Sequence, residues 1–319
     1  MDDTAIETTA LGKVYPGGVP ALDQVSIRTA YGQVYAYLGR NGSGKTTTIR
    51  ILTTLTAATS GTARVAGHDV CHEPEAVRRA IGVTMQQAAL DETMTGRELL
   101  SWLAALWGLP RGAARARVGE VAERFGLAGV LDRRIATYSG GTRRRLDLAG
   151  ALLHRPRVLF LDEPSTGLDP QSRRALWEQV RELRDQGSAI FLTTQYLEEA
   201  AELADRIAVL QAGRVAAEDT PTELRRRHGG LRLRLRLDPG QPHHPGWGGN
   251  GNGPDQRGWI TRPVASVGQA QTMLDELVHA GTAIAELHLD EPTLEDAYLA
   301  LTGSQPSTVP TAAAAATRA

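Results

Sequence analysis

The stretch Val34-Tyr35-Ala36-Tyr37-Leu38-Gly39-Arg40-Asn41-Gly42-Ser43-Gly44-Lys45-Thr46-Thr47 decides how this chain is read. Its first five residues are a short apolar run of the kind that makes a buried strand, and Thr46 to Thr54 open an apolar-periodic helix. Between them Gly39 to Thr46 fits the phosphate-binding loop, Gly, four residues, Gly-Lys-Ser/Thr, in the strand-to-helix setting that the loop requires. Glycines at 39, 42 and 44 permit positive φ and close approach, so consecutive N–H groups can turn inward around a polyphosphate. The helix N-terminus adds its dipole. Lys45 is placed to reach the β- and γ-phosphates, and the Thr46 hydroxyl to ligate Mg²⁺. A chance glycine-rich turn would carry the letters without the flanking strand and helix.

Outward from the loop, composition sets limits. A chain of 319 residues holds one large α/β domain and a smaller appendage. A net charge of −1 gives no global attraction to nucleic acid or anionic lipid. The single cysteine, Cys71, excludes an intrachain disulfide framework. Met1-Asp2-Asp3 is acidic where a secretory signal is basic, and no run of about 20 apolar residues is present to span a bilayer. A membrane role is therefore expected only through a partner.

Upstream, residues 4–38 carry turn signals and short apolar alternations that suggest antiparallel strands. Tyr15, on the Pro16-Gly17 turn, reads alone as an ordinary turn aromatic, but its position before the loop favours stacking on a purine. Downstream, Ile81 to Met85 reads as a strand ending at Gln86-Gln87. Helical patterns over Glu98–Trp107, Ala113–Phe125 and Thr142–His154 suggest an inserted helical subdomain, with Trp102 and Trp107 read as core before a partner-facing patch. Ser139 is a good N-cap for the last of these, and Gly140-Gly141 leave that helix end open. Val158 to Leu161 is an apolar strand that delivers Asp162 and Glu163 at its tip. Asp162 suits Mg²⁺, and Glu163 suits orienting an attacking water. Paired carboxylates ending a buried strand have no cheap structural explanation. Further strands are read at Ala189–Thr193 and Ile207–Leu210, and a helix at Ser172–Asp185.

After about residue 224 the pattern changes. Leu231 to Leu237 alternates leucine with arginine, a half-buried strand whose outward arginines read as a solvated face before an anion-binding stripe. Residues 238–258 read as a flexible loop, with His243-His244 lacking partners for a metal site. Ser266–His279 and Leu294–Leu301 are helical and Thr282–Leu289 strand-like, a small α+β domain over 225–303. Residues 304–319 read as a disordered tail.

Taken together, the motifs resemble the nucleotide-binding subunit of an ABC transporter over about residues 4–224, with the helical subdomain at about 88–155. Gly39, Arg40, Asn41, Gly42, Ser43, Gly44, Lys45 and Thr46, with Thr47, match the Walker A loop. Tyr15 matches the adenine-stacking aromatic, Gln86 the Q-loop glutamine and Ser139-Gly140-Gly141 the signature core. Val158 to Asp162 match Walker B, Glu163 the catalytic glutamate and Ser165 to Asp169 the D-loop. Four segments are closer to the daunorubicin/doxorubicin resistance ATP-binding group: Val83 to Gln86, Tyr138 to Leu146, Thr193 to Ala200 and Pro292 to Gly303.

The resemblance implies an α/β P-loop NTPase fold of ABC type, a mixed sheet with a RecA-like core, an antiparallel β subdomain and a helical subdomain. It implies ATP and Mg²⁺ as cofactors, with Thr46, Gln86 and Asp162 around the metal and Lys45, Glu163 and Gln195 around the reaction. Two departures stand out. Tyr138 and Thr142 replace the common Leu and Gln beside the signature glycines, and Gln195 stands where most members carry a histidine. An amide can donate to a γ-phosphate but has no titratable proton, which leaves general-base duty to Glu163. One loop and one signature per chain imply a dimer of two copies with ATP sandwiched between them. The expected partner is a separate ABC-2-type permease, placing the chain peripherally on the cytoplasmic face of the membrane, with no nucleic acid partner. The expected cargo is a drug or secondary metabolite. Export of a lipid or polysaccharide, a soluble ABC ATPase, and a nucleotide-gated module with little turnover are the alternatives.

Overall fold

The computed structural model describes residues 3–86, 90–238 and 258–303. These divide into two compact units, one up to Pro221 and one from Thr222. The loop expected over 238–258, with His243-His244, and the expected tail lie almost wholly outside the described residues.

The first unit opens with two long strands, β1 (Thr4–Tyr15) and β2 (Val19–Ala30), then β3 (Val34–Leu38) and helix α1 (Lys45–Leu52). Next come β4 (Ser60–Val65), β5 (His68–Asp69), α2 (Pro74–Ala80) and β6 (Ile81–Thr84). A helical block follows, with α3 (Gly96–Leu106), α4 (Arg111–Arg124) and α5 (Gly140–Ala151). The unit continues through β7 (Val158–Asp162), α6 (Pro170–Asp185), β8 (Ala189–Thr194), α7 (Leu197–Leu203), β9 (Arg206–Gln211) and β10 (Arg214–Asp219), and α8 (Pro221–His228) leads on into the second unit.

Two sheets result. One is antiparallel in the order β2-β1-β4-β5. The other is six-stranded, β10-β9-β3-β8-β7-β6, parallel except for β10. Every residue of β3, β7 and β8 is buried, as expected of parallel strands covered on both faces. Alternation assigns the faces. Val158, Phe160, Ala189 and Phe191 pack toward the antiparallel sheet and α1. Leu159, Leu161, Ile190 and Leu192 pack under the helical block. The six-stranded sheet is thus the middle layer, with the ends of its parallel strands gathered along one edge.

Phe191 centres the first of these cores, with ring centroids 5.7 Å from Tyr35, 5.4 Å from Tyr37 and 5.7 Å from Phe160. Phe191→Ala is expected to cost about 3–5 kcal/mol of stability, because three rings cannot collapse into the vacated volume. Urea denaturation would show a lower midpoint at an unchanged slope. A loss below about 1 kcal/mol would mean that the neighbouring rings refill the site.

The helical block differs from expectation at its tryptophans. Trp102 is 54% exposed and Trp107 39%, so neither is core. Trp107 instead stacks on His154, centroid to centroid 3.7 Å, while His154 Nε2 lies 2.9 Å from the Ile81 carbonyl. Burial pushes the His154 pKa down, favouring the neutral ring. The apolar spacing in α3 is met by Leu99, Leu100 and Ala104 instead. Among the described residues no helix is long and apolar enough to cross a membrane.

The second unit is a three-stranded antiparallel sheet, β12-β11-β13, from β11 (Leu231–Leu237), β12 (Trp259–Val264) and β13 (Ile284–Asp290), with α9 (Val267–His279) and α10 (Leu294–Thr302). Leu233 and Leu235 face α9 and are fully buried. The arginines between them are paired: Arg232 with Asp296, Arg234 with Asp290 at 3.5 Å and Arg236 with Glu286. Trp259 lies beneath Arg234 and Arg236, at 4.8 and 5.7 Å. With each charge matched by an acid, two across to β13 and one on α10, the face is a set of ion pairs and not an anion-binding stripe.

Candidate active site

The loop Gly39 to Thr46 leaves the C-terminal end of β3, between β8 and β9, where open parallel sheets collect ligands. Its glycines answer to crowding. Gly44 caps α1 with φ +111°, and a Cβ there would stand 2.6 Å from the Ala21 carbonyl. At Gly39 a Cβ would meet Ser43 Oγ at 2.5 Å and the Leu210 carbonyl at 2.7 Å. Only glycine lets the backbone close so tightly.

Lys45, buried, extends Nζ back across the loop to the carbonyls of Gly39 (2.8 Å) and Arg40 (3.2 Å) and to Glu163 Oε1 at 3.1 Å. Gln86 Nε2 donates to Glu163 Oε2 at 3.2 Å. The carboxylate is therefore gripped at both oxygens. Its backbone is equally constrained: Glu163 has φ +46°, a costly region for a side chain, and its N–H donates to the Thr193 carbonyl (3.0 Å) and Thr193 Oγ1 (3.2 Å).

Asp162, at the tip of β7, accepts from Thr193 Oγ1 at 2.5 Å and from Thr46 Oγ1 at 3.4 Å, both on Oδ1. Its Oδ2 is buried without a hydrogen-bond partner. A buried carboxylate oxygen left over beside a threonine hydroxyl suits a hard divalent cation, so the residues present fit Mg²⁺. Lys45, Thr46, Gln86 and Glu163 border a cavity of about 300 Å³, lined also by Ala21, Asn41, Gly42, Gly44 and Thr47. A larger cavity of about 640 Å³ opens at the other edge of the sheet, near Tyr31 and Ser188. Its arginines are engaged, Arg117 and Arg155 by Glu120, Arg124 by Gln186 and Arg157 by the Tyr31 ring at 4.3 Å, and it holds none of the groups above.

The remaining sequence candidates lie around this centre. The Tyr15 hydroxyl is 3.5 Å from Thr47 Oγ1, and Lys13 Nζ stands 5.1 Å over the Tyr15 ring. Gln195 follows β8 directly, half-buried, and does not line the cavity. Ser139 caps α5 as expected, its Oγ accepting from Thr142 N at 3.2 Å. Ser139 and Gly140 are exposed, and neither they nor Gly141 border the cavity of their own chain.

Gly141 packs on the first turn of α6, where a Cβ would fall 2.3 Å from Ser172 Oγ and 2.8 Å from its Cβ. Gly141→Ala is expected to lower ATP turnover about 5–150-fold, the equivalent of 1–3 kcal/mol of overpacking, and to leave ATP affinity of the single chain unchanged. Steady-state kinetics with a binding titration would check this. Turnover restored by adding Ser172→Gly would locate the clash, and undiminished turnover in Gly141→Ala itself would show that the helices simply slide apart.

Sequence reasoning passed over three residues that the structure brings in. Thr193 holds both acids, and its register opposite Asp162 is the signal that identifies it. Glu199 is buried beneath Trp177 Nε1, at 3.3 Å, and burial raises its pKa. Arg144, three residues after Gly141 and four before Leu148, falls on the buried face of α5; that spacing was legible.

Comparisons with known proteins agree with this geometry. The ABC transporter family model matches residues 22–166. The daunorubicin/doxorubicin resistance ATP-binding protein of Streptomyces peucetius is 44% identical over 306 residues, covering 94% of this chain and 92% of the relative. The Nod factor export ATP-binding protein I of Paraburkholderia xenovorans is 40% identical, covering 70% and 73%. Among solved structures, one described as the ATP binding subunit of an ABC transporter superposes with a TM-score of 0.64 at 30% identity, covering 70% of this chain and 93% of that one. With the loop, the paired acids and the mixed sheet in place, and with such likeness along nearly the whole chain, this protein belongs to the ATP-binding subunits of the ABC transporter family.

Proposed function

We propose that this ATPase energises export of a drug or secondary metabolite through a separate ABC-2-type membrane permease, bound peripherally at the cytoplasmic face. The observation that carries the reading is the extent of the likeness to the daunorubicin/doxorubicin resistance protein, which takes in both compact units and not the ATP-binding unit alone. Residues 225–303 serve as an accessory domain that supports the dimer or the permease contact.

The chemistry follows from the cavity. ATP lays its phosphates on the N–H groups of the loop and takes over the Lys45 ammonium from Glu163. The released carboxylate, still within reach of the Gln86 amide, orients a water in line with the γ-phosphorus and accepts its proton as the bond to the ADP oxygen breaks. Gln195 donates its amide to a γ-phosphate oxygen. Thr46, Asp162 and Gln86 would hold Mg²⁺, which when bound would neutralise charge on the phosphate oxygens. Tyr15 stacks on the adenine. The exposed Ser139 and Gly140 close over the ATP of a second copy, so that two chains complete two sites.

The test reconstitutes the chain with its permease in inside-out vesicles and follows ATP hydrolysis together with uptake of a fluorescent anthracycline. Hydrolysis that rises with the permease and drives uptake is the expected result. Hydrolysis without uptake of any amphipathic drug would overturn the cargo assignment, and hydrolysis indifferent to the permease would point to a soluble ATPase.

A further inference from the structure

Arg144 is 7% exposed, yet its guanidinium is spread over four acceptors, one after β6, two around the tip of β7 and one on α5 itself. Nε donates to the Pro164 carbonyl at 3.0 Å and Nη2 to the Asp162 carbonyl at 3.2 Å. Nη1 donates to the Met85 carbonyl at 2.6 Å and to Asp147 Oδ2 at 3.2 Å. Two of these carbonyls flank Glu163 on either side, and the third immediately precedes Gln86. One side chain on α5 therefore holds the backbone around the carboxylate and the backbone around the amide that donates to it. We propose that Arg144 is a positioning residue that sets Glu163 and Gln86 for water attack and ties that setting to the helix beginning at Ser139-Gly140-Gly141.

The physical case rests on what Glu163 needs. A non-glycine residue at φ +46° persists only where its surroundings over-determine it. Thr193 fixes the Glu163 N–H, and Arg144 fixes the peptide carbonyls before and after the residue. The planar fork of arginine reaches three carbonyls in different directions at once; the ammonium of lysine is a single point and cannot. Asp147, one turn along α5, steadies the same nitrogen that reaches Met85. Any displacement of the start of α5 is thereby carried to the two groups that handle the water. Among the described residues Arg144 makes no hydrogen bond or ion pair to Lys45, Thr46 or the loop, so the groups that hold the phosphates are not its direct partners.

This inference rests on Glu163 acting in ATP hydrolysis, and the experiment separates the two. Purified full-length Arg144→Lys and Arg144→Gln are compared with wild type, alone and combined with Glu163→Gln, for kcat, KM, ATP affinity and thermal midpoint. The expected result is a kcat lower by about 10²-fold in both single variants, the scale of a small misplacement, with ATP affinity within about threefold of wild type. In the Glu163→Gln background the Arg144 substitutions are expected to change the residual rate no further, because their target has gone. A purely structural arginine would instead lower affinity and rate together in either background, and that result would overturn the proposal. So would a kcat within twofold of wild type in either single variant, or failure of both to fold. A wild-type rate that ignores Glu163→Gln would sink the hydrolysis reading itself, whatever Arg144 does.

Discussion

Glu163→Gln is expected to lower the turnover number for ATP by about 10²–10⁴-fold, the range a positioned general base contributes, while ATP binds about tenfold more tightly. Of the described residues that line the cavity, Glu163 is the one carboxylate. Asp162 is engaged on Oδ1 by two threonine hydroxyls, and the amide of Gln195 accepts no proton at neutral pH. Among the described residues that line the cavity, no second base stands ready. The gain in affinity has a separate cause. At rest the carboxylate lies 3.1 Å from the Lys45 ammonium, so an arriving γ-phosphate must take that ammonium and then sit beside the displaced negative charge. An amide of the same shape removes the repulsion and keeps the hydrogen-bond partner of Gln86. Single-turnover hydrolysis and equilibrium ATP binding in Mg²⁺ check the two halves independently. A rate loss under tenfold would mean that the water is activated elsewhere, and an unchanged affinity would mean that Glu163 has already swung away before the phosphate arrives.

The parts of this site that were legible in the sequence are those where local backbone chemistry leaves few choices. Val34 to Leu38 and Val158 to Leu161 are unbroken apolar runs, and they lie in the wholly buried strands Val34–Leu38 and Val158–Asp162. Gly44 has to be glycine because the Ala21 carbonyl leaves no room for a Cβ. The alternation of Leu231 to Leu237 gave both the strand and its inner face. What escaped was set by partners far along the chain. β10 and β12 carry weak patterns, Arg214–Asp219 ending in acids and Trp259–Val264 interrupted by Pro263, and they are strands because β9 and β11 supply their hydrogen bonds. Trp102 and Trp107 look like core letters, yet α3 turns Leu99, Leu100 and Ala104 inward and leaves the indoles outside. Arg144 and Thr193 act on the acids only once α5 and β8 are laid against β7, a juxtaposition that spacing along the chain does not contain.

Lys45→Ala is expected to weaken ATP binding by about 10–150-fold, through loss of charge-assisted hydrogen bonds, and to cost the nucleotide-free protein about 3–5 kcal/mol of stability. The second effect follows from the resting pair. Lys45 and Glu163 are 4% and 6% exposed, and removing the ammonium leaves a buried carboxylate whose remaining side-chain donor, among the described residues, is the Gln86 amide. The Gly39 and Arg40 carbonyls lose their shared donor at the same time. Adding Glu163→Gln to Lys45→Ala should therefore recover most of the lost stability, because the stranded charge is gone, yet recover none of the nucleotide affinity, because the phosphate still has no cation to meet. Chemical denaturation and ATP titration of the wild type, both single variants and the double variant give the two cycles. Strong coupling in stability with little in binding is the signature of a lysine that serves two masters in turn, its own chain's carboxylate at rest and the phosphate when ATP arrives. Additive stability changes would show that the two side chains do not depend on each other in the resting protein, and the exchange of Glu163 for phosphate on Lys45 could not then be the first step of the cycle.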